Sequence, residues 1–326
     1  MSTPNKKSFA DWLGGLSSQT LYLMLIVVCV IPLFIRAEIP SKSEDQSVDL
    51  FVSLMQLPAD KPVLISSDWT NSSRGESAGQ FEALMRILMR RNIKIFLFSF
   101  GDPQAPQVAR DVIARINEER KASGEAPYEV WKDWVDAGFY SDPNFALGAT
   151  MKADVRAAFA NKTARRPDGT QANIWESDVL KNVRKLQDFS ILLNITASST
   201  VDYIVSRLSG SIPIGVMCTG VTGPGVQPYY QASQIVGVSI GLKGVYDIER
   251  MMEYGVKGTA IAKPDFKGGV SKKDSDLDIP GFAGKKNLDR GSSYYLALHA
   301  ALALMIIAVI AGNIGLIASK MRRSEA

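Results

Sequence analysis

Two long uncharged stretches, one near each end, constrain what this chain can fold into more than any other feature. Residues 12–35 carry no charge and centre on LYLMLIVVCVIPLFI, residues 21–35. About 20 helical residues cross the ~30 Å hydrocarbon layer of a bilayer. Lys6 and Lys7 precede the stretch, and FIRAEIP after it offers no small-x-small cleavage site, so an uncleaved signal anchor over 12–36 is expected. The second stretch, 291–319, opens on Tyr294 and Tyr295 and ends against Lys320, Arg322 and Arg323. An aromatic belt at one face and a basic stop at the other predict a membrane helix over 294–319.

These segments predict a two-pass protein with short tails, 1–11 and 320–326, on one side of the bilayer. Lys6, Lys7, Lys320, Arg322 and Arg323 on the tails are matched by Arg36, Lys42, Lys285, Lys286 and Arg290 on the domain side, so a count of basic residues ties. Moving a short tail with two lysines across the bilayer is the harder event. The tails are therefore placed in the cytoplasm and the central domain outside it.

In the second segment Ala297, Ala301, Ala308, Gly312, Gly315 and Ser319 recur near one helical face. Small residues allow close backbone approach in lipid. Ala308, Gly312, Gly315 and Ser319 are thus candidate packing positions for other membrane subunits or a second copy. His299, just below the tyrosines, reads as an interfacial residue.

His299 is also the single histidine of the chain. The region between the membrane segments therefore contains no imidazole, which excludes Ser-His-Asp and Cys-His catalysis and His-ligated metal there. Cys29 lies in the first apolar stretch and Cys218 is the lone thiol of the domain, so no disulfide or CxxC motif forms within it. The net charge of +4 is spread without a basic stripe, which argues against a nucleic-acid partner.

Residues 47–255 alternate in a βαβ manner. Residues 47–57 predict a short helix near the bilayer. Strands are predicted over 61–68, 93–99, 189–195 and 212–218, with a further strand and loop in 128–139. Helices are predicted over 80–92, 106–123, 177–186 and 201–208, then one long helix near 229–254. RRPDGTQ, residues 165–171, reads as an exposed loop. The expected fold is a mainly parallel Rossmann-like or flavodoxin-like sheet with helices on both faces. Residues 256–293, rich in Gly, Lys, Asp, Ser and Pro, read as a flexible linker.

Ligands of open parallel sheets bind beyond the carboxyl ends of the strands. Three predicted ends are polar: Ser66, Ser67, Asp68, Asn71 and Arg74; Asn194 and Ser198; and Thr219, Gly220, Gly223 and Gly225. Hydroxyls, amides and helix N-terminal N–H groups there would cradle a polar or anionic small molecule. The same residue types also cap helices and permit turns. GVTGPG matches neither a dinucleotide nor a Walker fingerprint. Asp68 with Glu76 is a weak pattern for a hard cation, no metal site is expected, and no cofactor can be named. The expected function is a membrane-anchored, non-enzymatic sensor or assembly subunit binding a protein partner or a small polar ligand. A histidine-free hydrolase or transferase working through Ser66, Asp68 or Cys218 is the alternative, and a structural scaffold the third reading.

Overall fold

The structure is a computed structural model and describes residues 17–35, 38–141, 148–258 and 277–324. These form two compact units, one from Lys42 to Gly291 and one from the flanking segments. Helix α1 (Ser18–Phe34) lies in the flanking unit, and the central unit opens with α2 (Asp45–Met55). There follow β1 (Val63–Asp68), α3 (Arg74–Arg90), β2 (Ile95–Ser99), α4 (Ala105–Ala122) and β3 (Trp134–Phe139). The crossover from β3 carries the short helices α5 (Ala149–Ala153) and α6 (Val155–Ala158) and a hairpin, β4 (Thr163–Arg165) with β5 (Gln171–Asn173). Then come β6 (Leu192–Thr196), α7 (Thr200–Leu208), β7 (Ile214–Cys218), α8 (Gly223–Gln231), β8 (Gly237–Ile240) and α9 (Gly241–Tyr254). A second small pair, β9 (Val256–Gly258) and β10 (Leu277–Ile279), precedes α10 (Arg290–Ser324).

The main sheet has six strands in the order β3-β2-β1-β6-β7-β8, all pairings parallel. Counting only these strands, the order is 3-2-1-4-5-6, that of the doubly wound dinucleotide-binding fold. Every residue of β1, β2, β6 and β7 is buried. Helices on both faces explain why these strands read as continuous apolar runs. On one face Val63, Ile65, Leu193 and Ile195 pack with residues of α2, α3, α4 and α9. On the other, Leu64, Leu192 and Val216 pack with α6, α7 and the crossover.

Several sequence expectations change here. The helix expected near the bilayer is α2, whose Leu50, Phe51 and Leu54 are fully buried. A side chain at Gly237 would strike the Leu50 backbone, so glycine lets this helix lie directly on β8. The long helix expected near 229–254 is instead α8, β8 and α9: α8 stops at Gln231, and α9 starts at Gly241, with φ +56°. Residues 177–186 form turns rather than a helix. Their apolar positions are buried, but Arg156 takes the carbonyls of Val183 (2.7 Å) and Lys181 (2.8 Å). RRPDGTQ is exposed as expected, save Arg166, and residues 166–170 are the turn of the β4–β5 hairpin, with Gly169 at φ +89° and Asp168 accepting from Thr170 N at 2.8 Å. The described parts of the expected linker are folded: β9 pairs antiparallel with β10, and residues 285–290 form ion pairs with α3 and α4 and the turn after α4.

In the flanking unit, α10 is long and apolar enough to cross a membrane over Arg290–Ile317, and few of those residues are buried. Helix α1 is a shorter apolar helix, about 25 Å long at 1.5 Å per residue. Two equivalent spans are therefore not shown; residues 12–16 and 36 of the expected first span lie outside the described residues. The two helices enclose an apolar groove lined by Leu21, Leu25, Ala301, Met305 and Ala308. Two of the small residues thus face α1. Nothing lies within 4 Å of a Cβ placed at Gly312, Gly315 is half-buried, and the Ser319 side chain is outside the described part. His299 Nδ1 lies 2.9 Å from Tyr295 O, and its ring meets Tyr295 edge-on at 4.3 Å.

Candidate functional site

The strand order reverses direction between β1 and β6, so their carboxyl ends form the switch-point crevice of this fold. The register pairs Asp68 with Thr196, and Thr196 with Cys218. The three polar strand ends are thereby neighbours.

At the centre is Asp68, 4% exposed. Its Oδ1 accepts from Ser99 Oγ (3.1 Å), Phe100 N (2.8 Å) and Gly101 N (2.9 Å). Its Oδ2 accepts from Asn194 Nδ2 (3.0 Å) and from Ser66 Oγ. One carboxylate thus joins the ends of β1, β2 and β6. A Cβ on Gly101 would come within 2.8 Å of Asp68 Cβ and 3.2 Å of Thr200 Cγ2, so the close approach needs glycine. Burial raises the Asp68 carboxyl above its ordinary range, against the lowering by the donors from Ser66, Phe100, Gly101 and Ser99.

A second set of bonds ties β7 to this centre. Gly220 N donates to Glu76 Oε2 at 2.6 Å, and Gln80 Nε2 donates to Cys218 O (2.6 Å) and Ser239 O (3.3 Å). Thr219 N donates to Thr196 O at 3.3 Å. Cys218 is fully buried, and burial pushes its thiol up to about 11, so it stays protonated at neutral pH.

The sequence-derived residues therefore divide. Ser66, Ser67, Asp68, Asn194, Thr219 and Gly223 are interior, whereas Asn71, Arg74, Ser198, Gly220 and Gly225 are exposed. Gly223 has no positive φ; it is required because a side chain there would strike Ile240. Glu76 and Asp68 are each taken up by backbone N–H donors, and among the described residues no group of three His, Cys, Asp or Glu side chains gathers as a metal site. Sequence reasoning missed the Ser99–Gly101 turn and Gln80. A polar Ser-Phe-Gly-Asp sequence at the end of the second strand was the signal available for the turn.

The loop from Asp68 to Arg74 contains no glycine. Trp69 is buried in it, and Ser73 closes a 3-10 turn by accepting from Thr70 N at 3.4 Å. The close backbone approach that a glycine fingerprint gives a pyrophosphate is therefore absent from this loop. Hydrogen-bonding capacity nonetheless remains: Ser67 Oγ, Ser77 Oγ, Gln80 Oε1 and Ser239 Oγ are buried without a protein partner. No family model matches the chain, and neither a curated protein nor a solved structure matches it.

Proposed function

We propose that this chain is a membrane-anchored binding module, a sensor or assembly subunit rather than an enzyme, whose α/β unit takes a small polar ligand or a protein partner at the carboxyl edge of its sheet. One observation carries this reading: the chemically active groups of the crevice are committed to holding it together. Asp68 is buried under five donors, and the Cys218 thiol is buried with a raised pKa. What the edge presents outward is Asn71, Arg74, Ser198, Gly220 and Gly225, groups suited to recognition.

Helix α10 serves as one anchor and the segment around α1 as the other, which gives a two-pass chain with both ends in the cytoplasm and the α/β unit outside. The small-residue row through Ala308, Gly312, Gly315 and Ser319 is where another membrane subunit or a second copy would pack. Reporters fused after Glu44 and after Ala326 should fall on opposite sides of the membrane; both on one side would end the two-pass reading.

The enzyme reading draws on the raised pKa of Asp68, since shifted carboxyls also mark catalytic acids and bases. The two readings separate in one experiment. The purified full chain in detergent is screened by thermal shift against small polar compounds and by turnover against acyl and phosphoryl esters. Stabilisation without turnover supports the binding module, whereas turnover lost in Asp68→Asn or Cys218→Ser would overturn it.

A further inference from the structure

A second concave region lies at the other edge of the sheet. Arg90 ends α3 and Ser123 follows α4, so these helix ends sit beside the amino ends of β2 and β3, opposite Asp68. Residues 281–286 lie across them and line two adjoining open clefts of about 460 and 630 Å³ that share Arg90, Arg120, Glu125 and Lys285. Such volumes fall within the usual range for small-molecule sites, roughly 300–1,000 Å³.

The charge of the lining is unbalanced. Arg86, Arg90, Arg120, Lys285 and Lys286 line it with two carboxylates, Glu119 and Glu125, and Asp289 behind them pairs with Arg86 (2.8 Å) and Lys286 (3.3 Å), so five cations less three anions leave two positive charges. Glu119 pairs with Arg86 (2.9 Å), Arg115 (3.0 Å) and Lys286 (3.1 Å), and Glu125 with Arg120 (3.0 Å) and Lys285 (2.6 Å). Arg90 has neutral partners: Asn287 Oδ1, Lys286 O at 2.9 Å and the Phe282 ring 5.2 Å from its guanidinium carbon. Burial, with Arg86 alongside, lowers the Arg90 pKa to about 10. Cations at helix ends complement the helix dipole, which accounts for basic residues here. It does not account for an arginine part-buried among like charges with its remaining N–H groups unmatched to a carboxylate.

We propose that this cleft binds a small phosphorylated molecule, with Arg90 as the anchoring cation and Arg120, Lys285 and Lys286 around the phosphate. A surplus of two charges suits a phosphate dianion better than a single carboxylate. The planar guanidinium also matches phosphate oxygens in a bidentate manner. Ile116, Met89 and Phe282 supply apolar wall for the remainder of the molecule. The phosphate comes either from a soluble ester or from a lipid headgroup.

The test uses the full chain, purified in a neutral detergent and in phosphatidylcholine nanodiscs, titrated calorimetrically with inorganic pyrophosphate. Saturable binding is expected in both, and Arg90→Gln should weaken it about 10- to 100-fold, as loss of one charged hydrogen-bond anchor implies. Arg90→Lys should retain part of the affinity. In phosphatidylglycerol nanodiscs, unchanged pyrophosphate affinity assigns the site to soluble esters, and Arg90-dependent competition assigns it to headgroups. If Arg90→Gln does not fold, Lys285→Gln, whose side chain is 46% exposed, takes its place. The proposal is overturned if pyrophosphate fails to saturate in detergent and in phosphatidylcholine discs, or if a folded variant binds as the wild type does.

Discussion

Replacing Asp68 by asparagine separates the charge of this residue from its hydrogen bonds. Asparagine keeps an acceptor for Ser99 Oγ, Phe100 N and Gly101 N, the three donors on Oδ1. The new amide nitrogen faces Ser66 Oγ, which can rotate to accept, and Asn194, whose Oδ1 is buried without a partner and can turn to accept as well. The exchange therefore costs within about 1 kcal/mol in hydrogen bonding, whereas Asp68→Ala strands several buried donors and costs about 3–5 kcal/mol. The sign of the pH dependence follows from burial, which raises the folded-state pKa above the ordinary 3.8. The native state then holds the proton more tightly than the unfolded chain. This stabilisation is complete below the unfolded value and is lost as pH rises through the folded one. Asparagine does not titrate, so Asp68→Asn should gain on the wild type as pH increases. Melting curves of both proteins from about pH 4 to about pH 8 read this directly. A variant that loses more than about 3 kcal/mol at neutral pH, or a gap that does not widen with pH, would refute the reasoning and make the ionised carboxylate a functional group.

Other substitutions probe the same region and the membrane helix. Cys218, fully buried with its pKa near 11, should resist maleimide at neutral pH in the folded chain and react at once after unfolding; equal rates would contradict its burial. Gly223→Val should destabilise by about 1–3 kcal/mol through overpacking against Ile240. A second change, Ile240→Ala, should recover part of that loss, and no recovery would place the strain elsewhere. A Cβ at Gly312 meets nothing within 4 Å in this chain, so Gly312→Leu should change the melting temperature little while reducing cross-linking between copies or to another subunit. Unaltered cross-linking would remove the small-residue row from any interface.

The parts of the fold legible in the sequence are those with a local cause. Residues 63–68, 95–99, 192–196 and 214–218 are buried on both faces and so read as apolar runs with polar ends. Strand β8 was illegible because it is short and holds Gly237 and Ser239, chosen for its neighbours: Gly237 admits the Leu50 backbone. Residues 177–186 misled because Val179, Leu180, Val183 and Leu186 have helical spacing and are buried. The carbonyls of Lys181 and Val183 are nonetheless taken by Arg156, which no spacing rule reveals. At the site, Ser66, Asp68 and Asn194 could be picked out as polar groups ending apolar strands. Which of them reach solvent could not, because that depends on strand order and on Gly101 closing over Asp68. The arginine-lined cleft was hidden for the same reason. Lys285 and Lys286 look solvated in sequence, and their partners Glu125 and Glu119 come from a distant part of the chain.

The misread linker supplies a final test, because its last residues are fixed by a carboxylate they do not carry. Glu249, on α9 and 1% exposed, accepts from Asp289 N at 3.0 Å and Gly291 N at 2.8 Å. These are N–H groups at the start of α10 that no helical carbonyl can satisfy. The approach is close enough that a Cβ on Gly291 would lie 2.7 Å from Val245 Cγ1 and 2.8 Å from Glu249 Cδ. Around this cap, Arg290 pairs with Glu82 at 3.0 Å and Asp289 with Arg86 at 2.8 Å. Glu249→Ala should strand one buried and one part-buried donor at a cost of about 2–3 kcal/mol. The amides of residues 286–291 should then exchange with deuterium much faster, while those of β1 and β6 keep their protection. Glu249→Gln, which retains an acceptor, should show a smaller effect. If residues 286–291 exchange as slowly in Glu249→Ala as in the wild type, the ion pairs alone hold this segment, and the carboxylate cap contributes nothing measurable to it.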